Sequence, residues 1–384
     1  MPHTTDSFDV AIVGGGIAGL AVAWRAQQRG LRTVVLERGA LGRGATHVAA
    51  GMLAPISEAR VGERGLLALS RASLARYPAF VAELAAASDQ DPGYRACGAL
   101  LVARDRDEAE ALERELAERA SLGLAVERLL PSEARRREPA LAPTLRLALA
   151  VPDDHAIDPR ALGGALAVAV GRAGGVLRER AEVVRVTTTN GERVTGVELH
   201  DGARVHAGRV VIAAGAWAGT LDGLPAHARV PVRPVKGQIM RLRDPAGPGL
   251  LTRVIRMQPG YLVPRGDGRY VLGATMEEQG FDTAPTAGGI FELLRDAIEL
   301  VPGVAELAIE EVAAGLRPGT PDNAPALGPG ALAGLQWAAG CFRHGILLAP
   351  IVADALAATL AGEPLPAVAA SFAATRFERE AVAS

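Results

Sequence analysis

The chain has 384 residues, long enough for one large domain or two interleaved ones and too long for a small stapled module. Apolar residues make up 49% of it, which supplies a full core and argues against disorder. The formal net charge of −2 gives no electrostatic case for nucleic acid or an anionic membrane as partner. Lys236 is the single lysine, so any chemistry needing a phosphate-loop or Schiff-base lysine rests on that position. Two cysteines, Cys97 and Cys341, allow one disulfide but no disulfide framework, and no CxxC redox or zinc pair is present. The start MPHTTDSFD lacks a basic segment followed by an apolar stretch, and no apolar run reaches membrane-spanning length. A cytoplasmic protein is expected.

Phe8 to Val13 (FDVAIV) reads as a buried strand, followed by GGGIAG with Gly14, Gly16 and Gly19 at GxGxxG spacing. Ile17, Leu20, Ala21 and Trp24 then recur at helical spacing, Gly30 stops the helix, and Arg32 to Leu36 forms a second strand ending at Glu37. This is a βαβ unit built for a dinucleotide. Gly14 permits the tight turn, Gly16 lets a pyrophosphate approach the backbone, and Gly19 lets helix and strand pack closely. The helix N-terminus offers N–H groups to the diphosphate. Glu37, 18 residues after Gly19, is placed to accept from ribose hydroxyls. Arg38 to Pro55 (RGALGRGATHVAAGMLAP) is rich in Gly and Ala and almost uncharged after Arg43, which suits backbone lying flat against a large planar ligand and favours FAD over NAD.

Residues 64–90 read as one helix, Cys97 to Ala103 as a strand, Asp105 to Gly123 as a charged amphipathic helix, and Pro131 to Glu138 as a short basic helix or turn. Val151 to Pro159 (VPDDHAIDP) reads as a turn-rich link. Its Asp153, Asp154, His155 and Asp158 match no metal-ligand spacing, so no metal site is expected, and Asp158 caps a helix over Arg160 to Ala173. Asn190-Gly191 and Asp201-Gly202 mark turns between strands Ala181–Thr189, Arg193–His200 and Arg204–Ala213. Residues 230–274 are again β-rich, and a helix follows around Ile290 to Glu299. Near the C-terminus GLRPGTPDN (residues 315–323) and AGCFRHGILLAP (residues 339–350) stand out, with Ile346 read as the start of an apolar helix. Arg317 lies between Gly315-Leu316 and Pro318-Gly319, a backbone able to aim one guanidinium inward at a carboxylate, although on the residues alone a surface arginine, one of 40, is the simpler reading.

GGGIAGL, VVLERG, ATHVAAGMLAP and the two C-terminal segments together resemble the glycine oxidase branch of the D-amino acid oxidase-like flavoproteins. The resemblance implies an α/β fold: a Rossmann-like FAD-binding domain (residues 1–85, 151–225 and 325–384) interleaved with a β-rich substrate-binding domain (residues 86–150 and 226–324). It implies FAD contacts, beyond Gly14, Gly16, Gly19 and Glu37, at Ile17, Ala18 and Arg38, and in the small-residue loop at Ala45, Thr46, Ala50, Gly51 and Met52. Val183 would pack on the adenine side, and Cys341, Phe342, Arg343, His344, Gly345, Ile346 and Leu347 would close over the flavin. His47 stands where the family usually carries Ser or Ala, and is read either as touching the flavin or as peripheral. Tyr261 and Arg343 match residues that join Arg317 at the substrate, and Met276 matches one over its pocket.

The implied activity is oxidation of glycine, and of sarcosine or small D-amino acids, to the imine, with O2 as acceptor and peroxide as product. The imine then hydrolyses to glyoxylate and ammonia or passes to thiazole synthase in thiamine biosynthesis. The family suggests a homotetramer and non-covalent FAD. Two rival readings are a flavin dehydrogenase that uses a quinone in place of O2, and a non-catalytic FAD-binding protein. A disulfide reductase is disfavoured because no CxxxxC follows the first βαβ unit.

Overall fold

The computed structural model describes residues 7–60 and 62–378; the leader reading falls on residues 1–6, outside them. Ser7–Val13 (β1), Ile17–Gln28 (α1) and Thr33–Leu36 (β2) form the expected βαβ unit, and the two strands pair in parallel. Their apolar runs are buried on both faces, as strands inside a parallel sheet must be. Val176–Arg178 extends the sheet beyond β2, while Arg204–Ile212 lies parallel on the other side of β1. That last strand divides its length. Its first part pairs with the hairpin strand Arg193–Leu199, and its second part pairs in parallel with Leu335–Ala339. Chain segments far apart in sequence thus close one sheet.

Helices Tyr77–Ser88, Pro159–Arg172 and Ala349–Leu360 join α1 over one face, where Trp24 and Phe80 meet edge to face at 5.4 Å. The other face packs against the hairpin and the turns after it.

A second sheet of eight strands takes its strands from residues 99–151 and 233–319. Along Ala99–Ala103, Leu100 and Val102 face a core shared with helix Ala287–Leu300, and Leu101 faces one shared with helix Arg106–Ser121. The period of two therefore fills two cores at once. A small third sheet places His155–Ile157 between Met52–Leu53 and Tyr94–Arg95.

Three local expectations need correction. The single helix over 64–90 is two helices, Arg64–Leu74 and Tyr77–Ser88, because Pro78 has no N–H to continue the ladder and fits instead in a first turn. The link at 151–159 contains the strand His155–Ile157, too short for a sequence period to reveal. Asp158 does cap the next helix, accepting from Arg160 N at 3.0 Å. The helix expected from Ile346 begins at Ala349. Pro350 cannot donate to the Ile346 carbonyl, which accepts from the Tyr77 hydroxyl, while Leu347 O accepts from Ser73 Oγ at 2.7 Å. Residues 345–348 are consequently a turn, preceded by a 3-10 turn at Phe342–His344.

Candidate active site

A cavity of about 1080 Å³ runs from the C-terminal end of β1 into the second sheet. Its first part is made by the glycine turn. Gly14 has φ +109°, and a Cβ there would stand 2.4 Å from Ala213 O. A Cβ on Gly19 would stand 2.0 Å from Gly14 O, so Gly19 does not line the cavity but allows α1 to sit against the turn. Gly16, Ile17 and Ala18 line the wall at the start of α1. Ile17 N donates to Thr46 Oγ1 at 3.0 Å, which ties the small-residue loop to the helix N-terminus.

Glu37 is held by the same turn, its Oε2 accepting from Gly15 N at 2.8 Å and its Oε1 from Gly39 N at 2.9 Å. Each oxygen keeps a further lone pair for a hydroxyl. Beside it the Arg38 guanidinium lies 3.5 Å from the Trp217 ring centroid, and both line the cavity with Val183. This end therefore offers a flat aromatic and cationic wall, a fixed carboxylate, and a helix N-terminus over a turn without side chains. Those are the surfaces that an adenine, a ribose and a diphosphate require, so the residues fit FAD. Sequence reasoning missed Trp217, which sits in the segment after the returning strand and carries no motif of its own.

Ala45, Thr46, Ala50, Gly51 and Met52 line the middle of the cavity. Gly51 has φ +78° and lies so close to Ile157 O that a Cβ would approach it to 2.0 Å. From the C-terminal segment Cys341, Phe342, Arg343, Gly345 and Ile346 line the wall. His344 and Leu347 do not: the turn directs both into the interior, Leu347 into the helix layer and His344 toward Glu58, with Nδ1 3.7 Å from its Oε2. Burial lowers the His344 pKa to about 4, leaving the ring neutral. His47 also stays outside the cavity. It faces Arg43 and Glu311, and its carbonyl accepts from Arg160 and Arg241, so its place is structural.

At the far end Tyr261, Met276, Arg317 and Arg343 come together as expected. Arg317 Nη1 donates to Lys236 O at 3.3 Å and Thr275 O at 3.1 Å, which fixes the plane of the guanidinium beside the Tyr261 hydroxyl. Gly237 makes room for it, since a Cβ there would lie 2.2 Å from Nη1. Burial raises the Tyr261 pKa, keeping the hydroxyl protonated as a donor. Arg343 is 8% exposed and already pairs with Glu63 at 3.3 Å, so less of its charge is free than that of Arg317. Met276 is 54% exposed and stands at the mouth.

Beside this end Lys236 runs back from the cavity. Its side chain is 1% exposed, with Nζ 2.6 Å from Asp282 Oδ2 and 3.9 Å from a Glu277 oxygen. Glu58 and Arg256 also line the cavity and, like Trp217, escaped the sequence reading. Glu58 follows the small-residue loop within the run ISEAR, and an acid directly after such a loop is the signal that could have found it. The buried Asp154 carboxylate accepts from Ile56 N and Ser57 N at 3.1 and 2.7 Å.

Cys341 and Cys97 are free thiols. Burial pushes the Cys341 thiol up to about 12, so it presents no thiolate to a bound flavin. Acid precipitation of the purified yellow protein should therefore release FAD into the supernatant. Colour retained in the pellet would show a covalent bond. Glu37→Ala should weaken FAD binding by about 1.5–3 kcal/mol, the worth of hydrogen bonds to a charged group, and leave turnover intact once FAD is saturating. Turnover that stays depressed in excess FAD would give Glu37 another role.

Among the described residues no helix is long and apolar enough to cross a membrane. A glycine oxidase of Geobacillus kaustophilus is 36% identical over 349 residues, covering 90% of this chain and 91% of its own. The crystal structure of glycine oxidase from that organism superposes with a TM-score of 0.90 at 34% identity, over 97% of this chain and 99% of the other. A bifunctional protein ThiO/ThiG of Synechocystis is 37% identical over 96% of this chain, which spans about half (54%) of that protein's length. The family described as FAD dependent oxidoreductase matches residues 9–359, and this chain belongs to it.

Proposed function

We propose that the protein oxidises glycine, sarcosine and small D-amino acids at Cα, giving the imine that hydrolyses to glyoxylate and ammonia, with O2 reduced to hydrogen peroxide. The observation that carries this reading is Arg317, oriented by two backbone carbonyls and set beside the Tyr261 hydroxyl in the wall of the cavity. A planar guanidinium and a phenol donor suit a substrate carboxylate. They fix one end of a small amino acid, so that its Cα is presented in one orientation. Bound FAD supplies the acceptor for the two electrons and the hydrogen that leave Cα, and returns the electrons to O2. Met276, Cys341, Phe342 and Arg343 line the same cavity, and the reading favours substrates with little or no side chain. The paired name of the ThiO/ThiG relatives supports delivery of the imine to thiazole synthesis.

Anaerobic mixing with glycine, sarcosine, D-alanine and D-proline, followed by flavin absorbance, tests the substrate. Bleaching is expected with glycine and sarcosine. Admitting O2 should then restore the colour with one peroxide per cycle. A flavin bleached by none of the four would sink the amino-acid reading, and one that O2 fails to reoxidise would move the acceptor to a quinone or another carrier.

A further inference from the structure

Glu58 has a position without a partner. Its side chain is 12% exposed and lines the cavity with Tyr261, Arg317 and Arg343. No described residue donates a hydrogen bond to its carboxylate, and its one ion contact, His344 Nδ1 at 3.7 Å, is with a neutral ring. An ionised carboxylate largely withdrawn from water is costly unless a cation or donor completes it.

The location of this carboxylate is imposed by the fold. Asp154 takes the N–H groups of Ile56 and Ser57, Arg119 donates to both of their carbonyls at 3.0 and 3.1 Å, and Arg256 donates to Ser57 O. Asp154 and Arg119 are themselves buried. The two residues ahead of Glu58 are therefore clamped from three directions, and its side chain is delivered to a fixed part of the wall.

The charged and titratable groups around it are Arg256, Arg343 and Arg317 on the cavity side, Tyr261 across it, His344 on the interior side, and Asp154 behind the loop. Burial pushes the Glu58 pKa upward, but Arg256, His344, Arg343 and Arg317 together outweigh it and hold the group below its ordinary value. Glu58 is therefore an anion at neutral pH and a poor proton acceptor.

We propose that Glu58 receives the ammonium group of the substrate, so that Arg317 and Glu58 read the two ends of one zwitterion. The inference rests on the amino-acid reading above. Carboxylates that lack an amine would satisfy Arg317 and leave Glu58 unpaired, and the site should discriminate against them. Because Glu58 favours the ammonium form, it also sets the pH at which the bound amine loses its proton before oxidation.

The test uses the holoenzyme and its Glu58→Gln and Glu58→Asp variants, with two ligands: glycine, followed by anaerobic flavin bleaching, and acetate, followed by its perturbation of the flavin spectrum. Glu58→Gln should weaken glycine saturation by roughly 10- to 100-fold, the range for a hydrogen bond to a charged group. It should leave acetate binding unchanged or tighter. The pH midpoint of bleaching at saturating glycine should move to lower pH, since removing the anion makes the ammonium easier to deprotonate. Glu58→Asp keeps the charge and should retain more glycine affinity than the glutamine variant. Equal losses for glycine and acetate, or an unmoved midpoint with unchanged glycine saturation, would overturn the proposal. A wild-type flavin that glycine fails to bleach while acetate still perturbs it would instead remove the amino-acid reading, and Glu58's role with it.

Discussion

Arg317→Ala is expected to lower kcat/KM for glycine by roughly 30-fold to several-thousand-fold while FAD remains bound. Glycine offers almost no apolar surface, so its affinity comes from its charged groups. Truncating one member of a desolvated charge pair costs about 2–5 kcal/mol. Arg317→Lys should recover only part of the loss, because an ammonium keeps the charge but not the two-point fork, and it could not reproduce the fixed plane set by the Lys236 and Thr275 carbonyls. Steady-state kinetics on both variants, with flavin content as the folding control, decide the matter. An alanine variant with wild-type kcat/KM would place Arg317 outside the reaction.

The second large effect comes from a residue that touches no substrate. Gly237→Ala introduces a Cβ at 2.2 Å from Arg317 Nη1, a separation no carbon keeps, and the guanidinium is the part free to move. Gly237 lies in strand Arg233–Arg243 and has no left-handed backbone requirement, so the fold should survive. A displacement of about 1 Å in a positioning group costs on the order of 100-fold. The loss should therefore appear in kcat/KM with the melting temperature little changed. In the Arg317→Ala background the same substitution should cost almost nothing more, because the two act on one contact. Additive losses in the double variant would show that Gly237 serves the strand and not the arginine.

The nucleotide end was largely legible in the sequence, and the substrate end only partly so. Gly14, Gly16, Gly19 and Glu37 lie within one βαβ unit, where local spacing dictates geometry, and the structure assembles them as that spacing requires. Arg317 could be singled out only through the resemblance of GLRPGTPDN to the family's C-terminal segment, since one arginine among 40 carries no signal of its own. Gly237, which makes room for it, lies 80 positions away with nothing in its own neighbourhood to mark it. Trp217 and Glu58 were missed for the same reason: their value comes from what the fold brings opposite them, Arg38 in one case and the ring of arginines in the other. Local signals also misled where a tertiary partner replaced a helical one. The apolar run from Ile346 looks helical, but Tyr77 and Ser73 take the carbonyls that a helix would have used.

The burial of Lys236 reaches beyond the site. It is the chain's single lysine, and its amine is enclosed and bound to Asp282. Nearly all of the molecule's positive charge is therefore carried on guanidinium groups, which do not react with activated esters or aldehydes under conditions that modify lysine. Amine-directed cross-linkers and immobilisation resins find no lysine handle on the folded surface. A lysine placed deliberately on an exposed helix, such as Arg106–Ser121, would be the sole reactive lysine side chain, leaving the terminal α-amine as the other amine to be controlled, for instance by pH.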